Sequence, residues 1–257
     1  MRDKLEKRIF EDPSDLQRHQ EYAAFLLQQG DPRGELIEVQ MALEAKDLAR
    51  ETQLELERQE RRLLNQHGRL WLGELAGYVL TKGTSAVNFR PKPGCRIWFV
   101  RGWVNGLQLD ELNLKIATVL LKAPEMKLFR RLVLTDPLNA SCDYLHEWGL
   151  LDKIKELDLS FGRIGDKGAL VLASNKSLRK LDVLDLTGNQ ITEVGQAAMR
   201  KSFPKVLIDD QTVLSISLPK AMSQVLETDT EVYLAKTAVD EDDTEDLGPS
   251  DDDDSDE

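Results

Sequence analysis

Few side chains in this 257-residue chain are spaced for chemistry. Cys142 and His146 lie four residues apart and would share one face of a helix. Zinc would need at least one further ligand, and the sequence positions none. As nucleophile and base the same pair lacks an orienting third group. The expectation is a buried thiol beside a surface imidazole. His19 and His67 are distant in sequence from both Cys95 and Cys142, and no Ser-His-Asp arrangement is supported by spacing. Gly162, Gly165 and Gly168 flank Lys167. A phosphate cradle needs a Gly-rich loop between a strand and a helix N-terminus. That order is present here, but neither the dinucleotide nor the Walker spacing is met. The glycines read as turn residues, so no catalytic residue, metal or cofactor is predicted.

Two carboxylates are more informative. Asp158 and Asp185 are 27 residues apart and occupy the same place in one pattern. Its first copy carries Ile154, Leu157, Leu159 and Ile164; its second carries Leu181, Leu184, Leu186 and Ile191. Leu157 and Leu159 alternate with Asp158, which makes a short strand with one buried face. Gly162 or the pair Gly188-Asn189 then turns the chain. Residues 166–174 and 193–202 follow at helical spacing. Each unit is strand, turn, helix, and such a unit buries both its faces only by stacking on others. Weaker copies extend the series, with central positions Leu107, Leu132, Leu157, Leu184 and Val206.

Stacked strands sit about 4.8 Å apart, so the outward residues form columns. One column is Gln108, Val133, Asp158, Asp185 and Leu207; the next is Asp110, Thr135, Ser160, Thr187 and Asp209. A third holds Glu111, Asp136, Phe161, Gly188 and Asp210. Asp158 and Asp185 should be neighbours, and like charges that close repel unless something intervenes. Nothing in the pattern makes them necessary for folding. Two readings stand: an acidic face for a basic partner, or a solvated surface with Asp chosen for solubility.

This pattern resembles the leucine-rich repeat in its longer form with a convex helix, as in ribonuclease-inhibitor-like horseshoes. The resemblance implies a parallel sheet lining a concave face. The family places Asn after each strand; here Asn189 alone fills that position, against Leu112, Pro137, Gly162 and Gln211. Unfilled positions leave backbone groups to find other partners, which predicts a short, irregular arc. Residues 1–104 resemble a second family, the bacterial repeat-companion domain of planctomycete- and myxobacterium-type proteins. The matching run goes from Tyr22 through Gly30-Asp31-Pro32-Arg33-Gly34-Glu35 to Gln40. Leu63 to Gly68, Trp71-Leu72-Gly73 and Val100 to Val104 fit its second half and its exit into the repeats. Ala23-Ala24-Phe25 replaces that family's Ala-Asp-Trp. The resemblance implies architecture and no chemistry.

The expected fold is thus an α/β solenoid, a short leucine-rich-repeat arc preceded by an all-α block. The blocks are 1–80 helical, 81–103 loop and capping strand, 104–213 about five repeats, 214–239 C-terminal cap and 240–257 acidic tail. Within the helical block, Asp12 with Pro13 predicts a helix start, Gly30 a stop, and His67-Gly68 a second stop. The formal charge of −12 is a local matter: residues 240–257 hold twelve acids and no base, and without them 34 acids face 34 bases. Such a tail predicts disorder. A balanced folded part does not suggest nucleic-acid binding. No stretch is long and apolar enough to span a membrane, the charged start lacks a secretory h-region, and two cysteines suit a reducing cytoplasm.

The functional expectation is a non-catalytic module binding a protein with a basic surface. Its contact residues would be Gln108, Asp110, Glu111, Val133, Thr135, Asp136, Asp158, Ser160, Phe161, Asp185, Thr187 and Asp209. The alternatives are an enzymatic site at the seam near Trp98, Arg101 and Trp103, or a structural spacer.

Overall fold

The computed structural model describes residues 1–82 and 89–212. The C-terminal cap expected at 214–239, the acidic tail, Val213 and residues 83–88 of the loop lie outside the described residues.

The chain opens with α1 (Arg2–Glu11), α2 (Leu16–Gln28), α3 (Arg33–Leu43) and α4 (Arg50–Trp71). The cap of α2 corrects the sequence reading. Asp15, not Asp12, accepts from the backbone N–H of Gln17 at 2.9 Å and of Arg18 at 3.3 Å. Asp12 folds back onto Ser14 instead, so Pro13 precedes the helix rather than starting it. Gly30 takes the left-handed backbone (φ +69°) that reverses the chain after α2. Gly68 does not end α4, which continues to Trp71. Its missing side chain serves packing: a Cβ there would meet the Phe89 ring at 2.5 Å. The short α5 (Ala76–Val79) follows.

Two strands connect this block to the repeats. β1 (Arg96–Val100) and β2 (Trp103–Leu109) pair antiparallel through a two-residue turn, with Arg101 at φ 47° and Gly102 at φ 76°. Two successive left-handed residues match the twist of a tight hairpin. Gln40, 6% exposed, fastens the hairpin to the helices. Its Oε1 accepts from Gly102 N at 2.8 Å, and its Nε2 donates to Phe99 O at 3.1 Å and Glu60 Oε1 at 2.6 Å.

From β2 onward the sheet is parallel, in the order β1-β2-β3-β4-β5, with β3 (Arg131–Leu134), β4 (Glu156–Asp158) and β5 (Val183–Asp185). Leu107, Leu132, Leu157 and Leu184 are paired in register across it. The fifth copy adds no strand; it joins through a single bridge from Asp185 to Leu207. Between strands run α6 (Leu114–Lys122), α7 (Asn139–Glu147) and α8 (Asp166–Ser174), and α9 (Glu193–Ser202) follows β5. The inward leucines share one core with Ile116, Leu145, Leu172 and Met199 of these helices. Each buried leucine contributes about 1.5–3 kcal/mol by leaving water.

Two polar ladders knit the later repeats. Asn189, fully buried, accepts from Ile164 N at 3.1 Å and donates to Leu159 O at 2.8 Å and Leu186 O at 2.9 Å. Gln211 does the same work one turn on, accepting from Ile191 N at 3.0 Å and donating to Leu186 O at 2.8 Å. The position read as unfilled is therefore filled by a longer amide. The second ladder runs between helix starts. Asn139 Oδ1 accepts from Gly165 N and Gly168 N at 2.9 and 3.0 Å, and Asp166 accepts from Thr192 N at 2.8 Å.

Candidate functional site

The sheet face opposite the helices is a set of aligned columns. Gln108, Val133, Asp158 and Asp185 are Cα partners in consecutive strands. Val133 is 9% exposed. Leu207 is 49% exposed at the far end. In the next column Asp110 accepts from the Thr135 hydroxyl, and Asp209 lies 3.7 Å from Arg200. Ser160 and Thr187 are half-buried, and Glu111 is exposed.

Asp158 and Asp185 are adjacent, but they are not idle carboxylates. Asp158 Oδ1 accepts from Ser160 N at 3.1 Å and Ser160 Oγ at 2.7 Å; Asp185 Oδ1 accepts from Thr187 N at 2.9 Å. Each satisfies a backbone donor just past its strand. Short acidic side chains turn back on the chain here as Asx turns do.

Four of the five residues of the third column share one backbone state. Asp136 (φ 48°), Phe161 (φ 54°), Gly188 (φ 68°) and Asp210 (φ 55°) are all left-handed, at the corner leaving each strand. Gly and Asp tolerate that conformation; a bulky aromatic side chain seldom adopts it. Phe161 is nonetheless 75% exposed. Its ring lies across the next corner, where a Cβ on Gly188 would stand 2.6 Å from it. Beside it Arg163 makes a two-pronged pair with Asp136, at 3.1 and 2.6 Å.

One outward column escaped the sequence reading: Gly106, Arg131, Glu156 and Val183, aligned in register at the strand starts. Its signal was available, because these residues precede the central leucines in every copy. Trp98 of β1 lies against Gly106, with the Arg131 guanidinium 4.8 Å and that of Arg96 5.8 Å from its ring centroid. Arginines gather on an indole at the starts of β1 and β3, while Asp158 and Asp185 stand side by side on β4 and β5.

The remaining candidates disperse. Cys142 is fully buried and burial pushes its thiol up to about 12, whereas His146 is exposed and its Nδ1 meets Asn175 Nδ2 at 2.9 Å. A thiol so raised is a poor nucleophile at neutral pH. The N–H groups of Gly165 and Gly168, where a phosphate would bind, are taken by Asn139. No group of three or more His, Cys, Asp and Glu side chains could hold a metal among the described residues. Trp98, Arg101 and Trp103 do not converge. Arg101 is tied to Glu44 at 2.7 Å and Pro13 O at 3.1 Å beside a cleft of about 260 Å³. Trp103 packs on Phe10 and Tyr22, with ring centroids 5.2 and 5.9 Å away, beside a different cleft.

A family model for the Leucine Rich repeat matches residues 153–173 and 174–198. No curated protein and no solved structure matches the chain. The chain carries leucine-rich repeats over residues 153–198, within an α/β repeat arrangement. No helix among the described residues is long and apolar enough to cross a membrane.

Proposed function

We propose that this chain is a non-catalytic interaction module that binds another protein across the open sheet face, as leucine-rich repeats generally do. The observation that carries this reading is Phe161. A ring three-quarters exposed, on a backbone that disfavours it by about 1 kcal/mol, contributes little to the core. Aromatic anchors of this kind dominate interface energetics. Around it, Asp136, Asp158, Ser160, Asp185, Thr187 and Asp209 offer polar and acidic contacts. Gln108, Asp110, Glu111 and Thr135 extend the surface toward the Arg131 end. The partner segment would seat an apolar group on Phe161 and basic groups at the β4–β5 end. We also read residues 1–104 as a repeat-companion block and the setting as cytoplasmic, supported by the Gly30 to Glu35 run and by two free thiols.

The test separates binding from folding. Asn tolerates the left-handed region, so Phe161→Asn should leave thermal stability equal or higher while removing the anchor. With the partner isolated by co-purification, Phe161→Asn should weaken its affinity by about tenfold or more. The double variant Asp158→Asn with Asp185→Asn keeps side-chain acceptors but drops the charges, and should weaken it less. Unchanged affinity in both variants would remove the open-face reading.

A further inference from the structure

A second surface, independent of the open face, is the cleft of about 320 Å³ where α1, α3 and the end of α4 meet the first strands. Three buried side-chain polar atoms lack a partner among the described residues, and two of them, Arg33 Nε and Trp103 Nε1, belong to residues lining this cleft. Trp103 is only 3% exposed. Leaving such a donor unpaired costs about 1–3 kcal/mol, so two at one place are unusual in a native structure. The Arg33 guanidinium lies 5.3 Å from the Trp103 ring centroid and 6.0 Å from that of Trp71. Those faces hold the cation in position while leaving its in-plane N–H groups available.

The other charges sort themselves out. Arg2 is paired with Glu6 at 3.0 Å and Asp31 at 3.2 Å, and Glu6 also accepts from the Tyr22 hydroxyl. Glu125 has no ion pair among the described residues, and neither has Arg33. The Glu125 carboxylate is seated against Gly73, where a Cβ would stand 2.5 Å from Oε1. The cleft wall thus holds buried, uncommitted donors on Arg33 and Trp103 and one uncommitted acceptor, Glu125. A simple anion would meet Glu125 unpaired, and a simple cation would meet Arg33.

We propose that this cleft binds a small zwitterion of the free α-amino acid class, with its carboxylate on Arg33 and Trp103 Nε1 and its ammonium on Glu125. The volume lies at the low end for ligand pockets, which suits one amino acid rather than a nucleotide. Trp71 and Leu70 on the wall favour an apolar side chain.

Calorimetric titration of the full chain with L-phenylalanine and L-leucine tests this, alongside N-acetyl-L-phenylalanine, which lacks the ammonium, and L-phenylalaninamide, which lacks the carboxylate. At least one free amino acid should bind, and each blocked analogue should bind about tenfold or more weakly, because it leaves a site group unpaired. Glu125→Gln should weaken the free amino acid while leaving the N-acetyl analogue unchanged. Arg33→Lys should weaken both. If Arg33→Lys does not fold, as judged by its circular dichroism, the half-exposed Glu125 carries the test alone. No binding by any free amino acid at about 10 mM, equal binding of the N-acetyl analogue, or unchanged binding in Glu125→Gln would each overturn the proposal. None of these outcomes bears on Phe161.

Discussion

The repeats around β4 and β5 and the helical block are stabilised by different means. In the repeats one amide, Asn189, joins three backbone groups drawn from two successive units, and Asn139 and Asp166 repeat that service at the helix starts. In the helical block the corresponding work is done by unique contacts. Gln40 joins three elements, and Phe10, Tyr22 and Arg33 close around Trp103. Periodic structure can reuse one solution, whereas an irregular junction needs a separate one at each point.

The sharpest way to break the comparison is to remove the same function at two depths. Asn189→Ala leaves Ile164 N–H, Leu159 O and Leu186 O without their partner inside the protein, and should cost about 3 kcal/mol in urea unfolding. Gln211→Ala removes a similar set of bonds at the end of the described repeats, where Gln211 is only partly buried and water can replace it; about 1 kcal/mol is expected. Equal losses would mean that the depth of the ladder does not matter.

The next largest contrast uses glycines. Gly168→Ala in α8 would put a Cβ 2.6 Å from Asn139 Oδ1 and 2.9 Å from Ile164 Cγ2, breaking the second ladder at a cost of about 2 kcal/mol. Gly77→Ala in α5 meets nothing within 4 Å, and should raise the melting temperature slightly, by about 0.5 kcal/mol of stability.

That difference also explains what was legible in the sequence. The alternation at Leu157 and Leu159 and the 27-residue spacing carried strand register across to Leu184, because a repeated burial demand leaves a repeated pattern. The columns through Asp158 and Asp185 followed from it. What Asp158 itself does was not legible, since the return of a short side chain to Ser160 N leaves no mark beyond the residue type. Gln211 is not legible as a ladder residue because it differs from Asn by one methylene, and only its reach to Ile191 N and Leu186 O shows the role. Gly68 is ambiguous for the opposite reason. A stop and a close packing contact both ask for glycine, and Phe89, which decides between them, is distant in sequence. The cleft around Arg33 and Trp103 has no period at all, so only the folded chain brings its donors together.

A smaller effect is expected at the start of α2. Asp15→Ala removes the acceptor of two helix N–H groups and a pairing with Arg18 at 2.9 Å, for about 1 kcal/mol. Asp12→Ala, measured in parallel, should cost less, because the Asp12 side chain serves only the Ser14 turn. A larger loss at Asp12 would restore it as the cap.

The smallest contrast is in pH. In each region burial lowers the pKa of a basic group. In the helical block His19 is held below its ordinary value, by burial first, with the hydrogen bond to Pro13 O opposing. In the repeats Lys153 is lowered to about 8, by burial first and then by Lys127. Both folded-state values are depressed, so in both cases the unfolded chain binds the proton more tightly. For His19, stability falls as pH drops below 6.5, the ordinary value, because protonation then favours unfolding. For Lys153 the window is alkaline. Below pH 8 both states carry the proton and the folded chain bears the whole cost of the half-buried ammonium; between 8 and 10.5 the folded state releases it and the cost fades. Lys153→Met should therefore stabilise the protein at neutral pH by about 0.5–1 kcal/mol, discounted for the water that still reaches this side chain. The advantage should shrink steadily as unfolding is measured from pH 8 toward 10.5. An advantage that stayed constant across that range would show that Met gains by packing and that the ammonium at Leu121 O is not under strain.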